Sequence, residues 1–167
     1  MFFYIIISFI GLGISLYAFF EISVWGGLYF DRDYLCIEKY RKPQKLCDAI
    51  SVLHNIIVSY CGIVLLFAGV IMAFHISDVN FGIWFTVAFF LFVVDGLVLL
   101  WAKHSDIPKV GNAIKEQWDK QKRVSLENDH EVNMYQGAIR VCVKYGIHNI
   151  FHLTLLLITY IVYCFVF

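Results

Sequence analysis

The sequence predicts an all-α membrane protein: a four-helix transmembrane bundle with a short amphipathic helical excursion between its third and fourth helices. Three observations predict it. Of the 167 residues, 60% are hydrophobic and 16% are charged, and the mean hydropathy is +0.73; a soluble domain of this size has too little interior to bury that much apolar surface. Four stretches, about 2–24, 51–75, 80–102 and 147–167, have the roughly twenty residues needed to cross a ~30 Å hydrocarbon core. All thirteen Lys and Arg side chains lie outside them, in the segments 25–50 and 103–146.

The first stretch begins at Met1 with no cationic leader region and no small-residue cleavage site, so it reads as a retained helix. It carries Ser8, Gly11, Ser15 and Ala18 at steps of three and four. The second carries Asn55, Ser59, Gly62, Gly69 and Ala73, with Leu66 filling the one gap in the same series. Small residues at this period let two backbones approach where lipid supplies no hydrophobic force between helices, so helices one and two are expected to pair as an antiparallel hairpin. A tight turn at "ISDV" (76–79) joins spans two and three.

Segment 103–146 reads as two short surface helices. Val110, Ile114 and Trp118 form one apolar face after Pro108, which suits a first helical turn. Val132, Tyr135, Ile139 and Cys142 form another, with Gly146 as its expected stop. Trp25, Tyr29, Trp84 and Trp101 fall near span ends, where an aromatic belt would lie. The whole chain reads as a single integral-membrane domain.

Two spans separate the basic segments, so both lie on one side. The positive-inside rule places them in the cytosol or mitochondrial matrix. Cys36 and Cys47 share segment 25–50, and their spacing permits a disulfide if that segment is extracellular. Both topologies are carried forward, with a mitochondrial inner membrane favoured over a plasma membrane or endomembrane.

Polar residues inside the spans gather toward the basic side. They are Glu21 in span one, His54 and Asn55 in span two, Asp95 in span three, and His148, Asn149 and His152 in span four. Antiparallel helices bring all of these to similar depth. An aspartate at the bilayer centre costs ~2.5–3.5 kcal/mol on insertion scales, so Asp95 needs a partner, expected to be His152 or Asn55. The structural reading makes this cluster a lock between helices. The alternative reading makes His54, His148 and His152 haem- or metal-binding residues of a redox subunit. No nucleophile–base set, phosphate-cradling glycine loop or paired-cysteine metal motif is present. With a formal net charge of zero, nothing suggests nucleic acid as a partner. The expectation is a non-enzymatic accessory or scaffold subunit, without cofactor or metal, whose partners are lipid and other integral membrane proteins.

The order of spans and loops, the small-residue stripes and a lone acid in the third span, Asp95 before Lys103, resemble the tetraspanins. "YQGAIRVC" (135–142) is similar to the approach to that family's large-loop cysteine motif, although Val143 follows Cys142 where the family has a CCG sequence. "WGGLY" (25–29) with Cys36 and Cys47 resembles the claudin signature in a shorter loop. Either resemblance implies a cell-surface organiser that acts by lateral packing.

Overall fold

The computed structural model describes residues 2–30, 41–76, 81–105, 107, 109 and 129–167. Among them are four α-helices and no strand: α1 (Phe2–Phe30), α2 (Arg41–Phe74), α3 (Phe81–His104) and α4 (Asp129–Val166). Each contains a segment long and apolar enough to cross a membrane: Phe2–Gly26, Lys45–Phe74, Phe81–His104 and Tyr145–Val166. This is an all-α, multi-pass integral membrane protein.

The helices outrun the expected spans at the end of the bundle where α1 connects to α2 and α3 to α4, called the loop end below. Helix α2 starts at Arg41, so much of the expected loop 25–50 is helical. Cys47, Asp48, Ser51, His54 and Asn55 recur at helical spacing and are all buried, so the helix continues because that face still packs. The second short helix of segment 103–146 is likewise not separate. It is continuous with α4, which runs unbroken through Gly146. No described glycine has positive φ, so Gly146 does not form the left-handed cap that ends helices and is simply carried at a propensity cost of about 1 kcal/mol. Most of the first expected surface helix lies outside the described residues, although Ile107 is buried against the loop end of the bundle.

Helix α2 ends by a specific device. His75 takes a left-handed conformation (φ 52°), and the amides of His75 and Ile76 reach back to the carbonyls of Met72 and Ile71 at 3.4 and 3.0 Å. This pair of bonds is a Schellman cap, which satisfies carbonyls that a helix end otherwise orphans. The expected turn at 76–79 otherwise falls outside the described residues.

Helices α1 and α2 form the expected antiparallel hairpin, with backbone against backbone. A Cβ on Gly62 would stand 2.6 Å from both the carbonyl oxygen of Gly11 and the amide nitrogen of Ser15. One on Gly11 would meet the backbone of Gly62, Leu65 and Leu66, and one on Gly69 the backbone of Tyr4 and Ser8. Ser8 Oγ donates to the Leu66 carbonyl at 3.1 Å, and the Ser15 and Ser59 hydroxyls pair at 3.4 Å. Ala18 is fully buried, and Ala73 partly so. Asn55, at the end of the α2 stripe, turns its amide to the Ser51 carbonyl of its own helix.

The opposite face of α2 meets α3 and α4, which also pack on each other, whereas α1 makes at most glancing contact beyond α2. Val64, Leu65, Met72, Phe85, Phe92 and Leu156 fill this three-helix core without exposed surface. Away from the loop end, Phe85 lies against Phe81 edge-on (centroids 5.4 Å) and against Tyr160 and Tyr163 (5.4 and 5.9 Å). Such ring pairs add ~0.5–1.5 kcal/mol each beyond area burial in measured cases.

Gly11 and Gly13 give a matched test, because a Cβ on Gly13 would meet nothing within 4 Å. Gly11→Leu is expected to lower the thermal aggregation midpoint in detergent by the equivalent of at least ~1–3 kcal/mol, the usual cost of overpacking. Gly13→Leu is expected to leave it unchanged. Equal behaviour of the two variants contradicts the close-packed hairpin.

A buried polar cluster as the candidate functional site

Three spans deliver one polar residue each to the same depth. His54 lies about two and a half turns inside its span from the loop end, Asp95 lies at the same distance from the loop end of α3, and Asn149, about one turn inside the Tyr145–Val166 span of α4, reaches Asp95 directly. All three are buried, with exposures of 1%, 0% and 4%. The Nδ1–H of His54 donates to Asp95 Oδ2 at 2.7 Å. The Nδ2 group of Asn149 donates to the same oxygen at 2.8 Å and to the Phe92 carbonyl at 3.1 Å. A carbonyl oxygen can only accept, so the Phe92 contact fixes which end of the Asn149 amide carries nitrogen.

One carboxylate oxygen therefore ties α3 to both α2 and α4. A buried polar group left without its partner costs ~1–3 kcal/mol, so two hydrogen bonds to one oxygen offset much of the ~2.5–3.5 kcal/mol cost of placing an aspartate at this depth. The other oxygen, Asp95 Oδ1, is buried with no hydrogen-bond partner. Aromatic rings enclose the site: Tyr145 stacks on His54 with centroids 4.2 Å apart and planes 22° apart. Phe92 stacks on His152 at 5.7 Å and 11°. The rings hold the imidazoles in fixed planes and exclude lipid chains from the carboxylate.

The partners expected from sequence were the wrong pair. His152 donates its Nδ1–H to the His148 carbonyl at 2.6 Å, along its own helix, and Asn55 is likewise bound within its own helix. Both choices have the same cause. A carbonyl one turn back is always within reach of a helical side chain, and it captures donors that do not face a stronger acceptor. His148 is exposed and lies beside Tyr145 at 6.0 Å. His152 nonetheless lies within electrostatic range of His54 and His148, while among the described residues no group of three or more His, Cys, Asp or Glu side chains is arranged to hold a metal. Glu21 sits apart on α1, accepting from Trp25 Nε1 at 2.7 Å. That bond explains why Trp25 is buried rather than part of an exposed belt. Cys47 is buried in α2, and Cys36 lies outside the described residues.

Sequence reading missed Tyr145, Asp48 and Ser51, all buried near this end. Tyr145 precedes Asn149 by one turn, and Asp48 and Ser51 precede His54 at helical spacing. The signal was present: Asp48 and Tyr145 were hidden by ending the helices where hydropathy falls, and Ser51 stood at the first position of the expected second span. Comparisons with protein-family models, with curated proteins and with solved structures find no match to this chain.

Asp95→Leu orphans the donors of His54 and Asn149 and is expected to destabilise the bundle by ~1–3 kcal/mol per donor. Asp95→Asn keeps an acceptor and is expected to retain most of the stability. In a double-mutant cycle of Asp95→Leu with His54→Leu, the two losses are expected to be strongly non-additive. Additive losses would show that the pair carries no coupling.

Proposed function

We propose that this chain is a non-catalytic accessory or scaffold subunit that packs side to side with other proteins in its membrane. The observation that carries the reading is the state of α1. Its span is the least enclosed of the four, held along one stripe by α2, with Phe9, Leu16, Phe19 and Phe20 facing outward. Within that span is the carboxylate of Glu21, half-buried and joined to Trp25 one turn on. Tyr17, one turn back, is 60% exposed. Lipid chains offer a carboxylate no donor beyond the one Trp25 supplies, so an acid on the helix with the most outward-facing surface suits contact with a cationic or hydrogen-bonding group on a neighbouring protein's helix. His54 and Asn149 both hold Asp95 Oδ2, which suits a packing unit tied together across three helices. The same lateral role fits an inner mitochondrial membrane complex or a tetraspanin- or claudin-like organiser.

One observation favours a second reading, a haem- or metal-binding subunit. The Nδ1–H of His54 is held by a carboxylate and that of His152 by a backbone carbonyl. Ligating histidines are oriented in this way, with Nε2 left toward the metal. An optical spectrum of the purified protein separates the readings, since a Soret band supports the second.

Photo-crosslinkers at Leu16 and Phe20 are expected to trap a discrete partner in native membranes. Glu21→Gln, which keeps an acceptor for Trp25 Nε1, is expected to reduce that product several-fold without lowering the thermal midpoint of the isolated chain. If crosslinks form only to lipid, or persist unchanged in Glu21→Gln, docking through α1 is ruled out.

A further inference from the structure

A groove of about 560 Å³ opens between α3 and α4 at the loop end. It exists because two of its lining residues have no side chain: a Cβ on Gly146 would meet nothing within 4 Å, and one on Gly96 would meet only the Asn149 amide. Its walls are apolar, including Val93, Leu97, Leu100 and Leu153. From Lys103 to Val93 it follows α3 for ~15 Å.

Two polar features line it, Lys103 at the mouth and Asn149 opposite Gly96, about 10 Å further along α3. Lys103 lines the mouth, is exposed, and makes no ion pair with a described residue. Asn149 lies at the floor, 4% exposed. Both recorded bonds of its amide are made by Nδ2. Its Oδ1 accepts none, and lies 3.4 Å from where a Gly96 Cβ would stand. A carbonyl acceptor left open at hydrocarbon depth costs free energy until a donor meets it.

We propose that the groove binds a phosphosphingolipid. The headgroup phosphate pairs with the Lys103 ammonium where that side chain extends toward Gly96, the adjacent hydroxyl or amide N–H of the sphingoid base donates to Asn149 Oδ1, and one alkyl chain continues past Val93 and Leu153. A glycerophospholipid has the phosphate but only ester acceptors at that depth, and an uncharged ceramide has the donors without the phosphate. The occupant is thus specified by the combination of an anion at the mouth with a donor below it. The inference is independent of docking through α1, which lies elsewhere on the bundle.

The test is native mass spectrometry of the full chain in detergent, titrated separately with ceramide 1-phosphate, phosphatidic acid and ceramide of matched chain length. Ceramide 1-phosphate is expected to bind about tenfold more tightly than either other lipid, the scale of one lost hydrogen bond or charge contact. Gly146→Leu fills the mouth in open space and is expected to weaken that binding about tenfold with the thermal midpoint unchanged. Lys103→Gln is expected to reduce the preference over ceramide while leaving the preference over phosphatidic acid. Equal binding of phosphatidic acid overturns the role of Asn149. Binding unaffected by Gly146→Leu, or no binding of any of the three lipids, overturns the site.

Discussion

Asp95 Oδ2 accepts hydrogen bonds from α2 and α4 while belonging to α3, and the arrangement of the three-helix core depends on that one atom. In lipid, apolar helix faces distinguish poorly between partners, because a hydrocarbon chain solvates leucine as well as another leucine does. A buried carboxylate has no such freedom. Sliding α2 or α4 by one turn, ~5.4 Å, removes a donor from reach and leaves a polar acceptor in a medium that cannot solvate it. Phe92 contributes twice, through its carbonyl, which holds Asn149, and through its ring, which stacks on His152. The polar lock and the packing around it come from the same turn of α3.

Two distinct means of joining helices meet on α2. Toward α1 it presents glycine and serine, so attachment rests on close backbone approach and weak hydroxyl bonds. Toward α3 and α4 it presents His54 and large apolar residues. This makes α2 the most enclosed span and leaves α1 peripheral. A peripheral helix with a membrane-level acid and an outward row of aromatics is available for contacts outside the chain. The three-helix core is tied together through His54, Asp95 and Asn149.

The fold was legible because membrane insertion leaves a coarse signal. A run of about twenty apolar residues must span, and every backbone group within it must be satisfied by its own helix. The α1–α2 pairing was legible too, since Gly11, Gly62 and Gly69 serve by lacking a side chain, and that property is local to the residue. The ends of the helices were not legible. Hydropathy drops near residue 50 and near residue 146, but a helix ends where its hydrogen bonds or packing fail. The buried face of Cys47, Asp48 and Ser51 carries α2 outward, and α4 passes Gly146 without a cap. The groove followed from the same unread feature, because a glycine inside a helix opens space where a glycine at its end would close a turn.

The sequence by itself determined that Asp95 must face inward with a partner, since no lipid-facing surface could satisfy an acid there. It also placed the candidate donors at one depth, through nothing more than helix direction and residue count. Which donor won was decided only by the tertiary structure. His54, Asn55, Asn149 and His152 all lie within about a turn or two of the right level, and depth alone does not separate them. Selection came from the rotation of each helix about its axis and from competition with the carbonyl one turn back. That local acceptor took Asn55 and His152, while the packing of α2 and α4 turned His54 and Asn149 toward the carboxylate. Helix rotation is set by the summed fit of all the side chains between neighbours, a non-local quantity that no single segment of sequence carries.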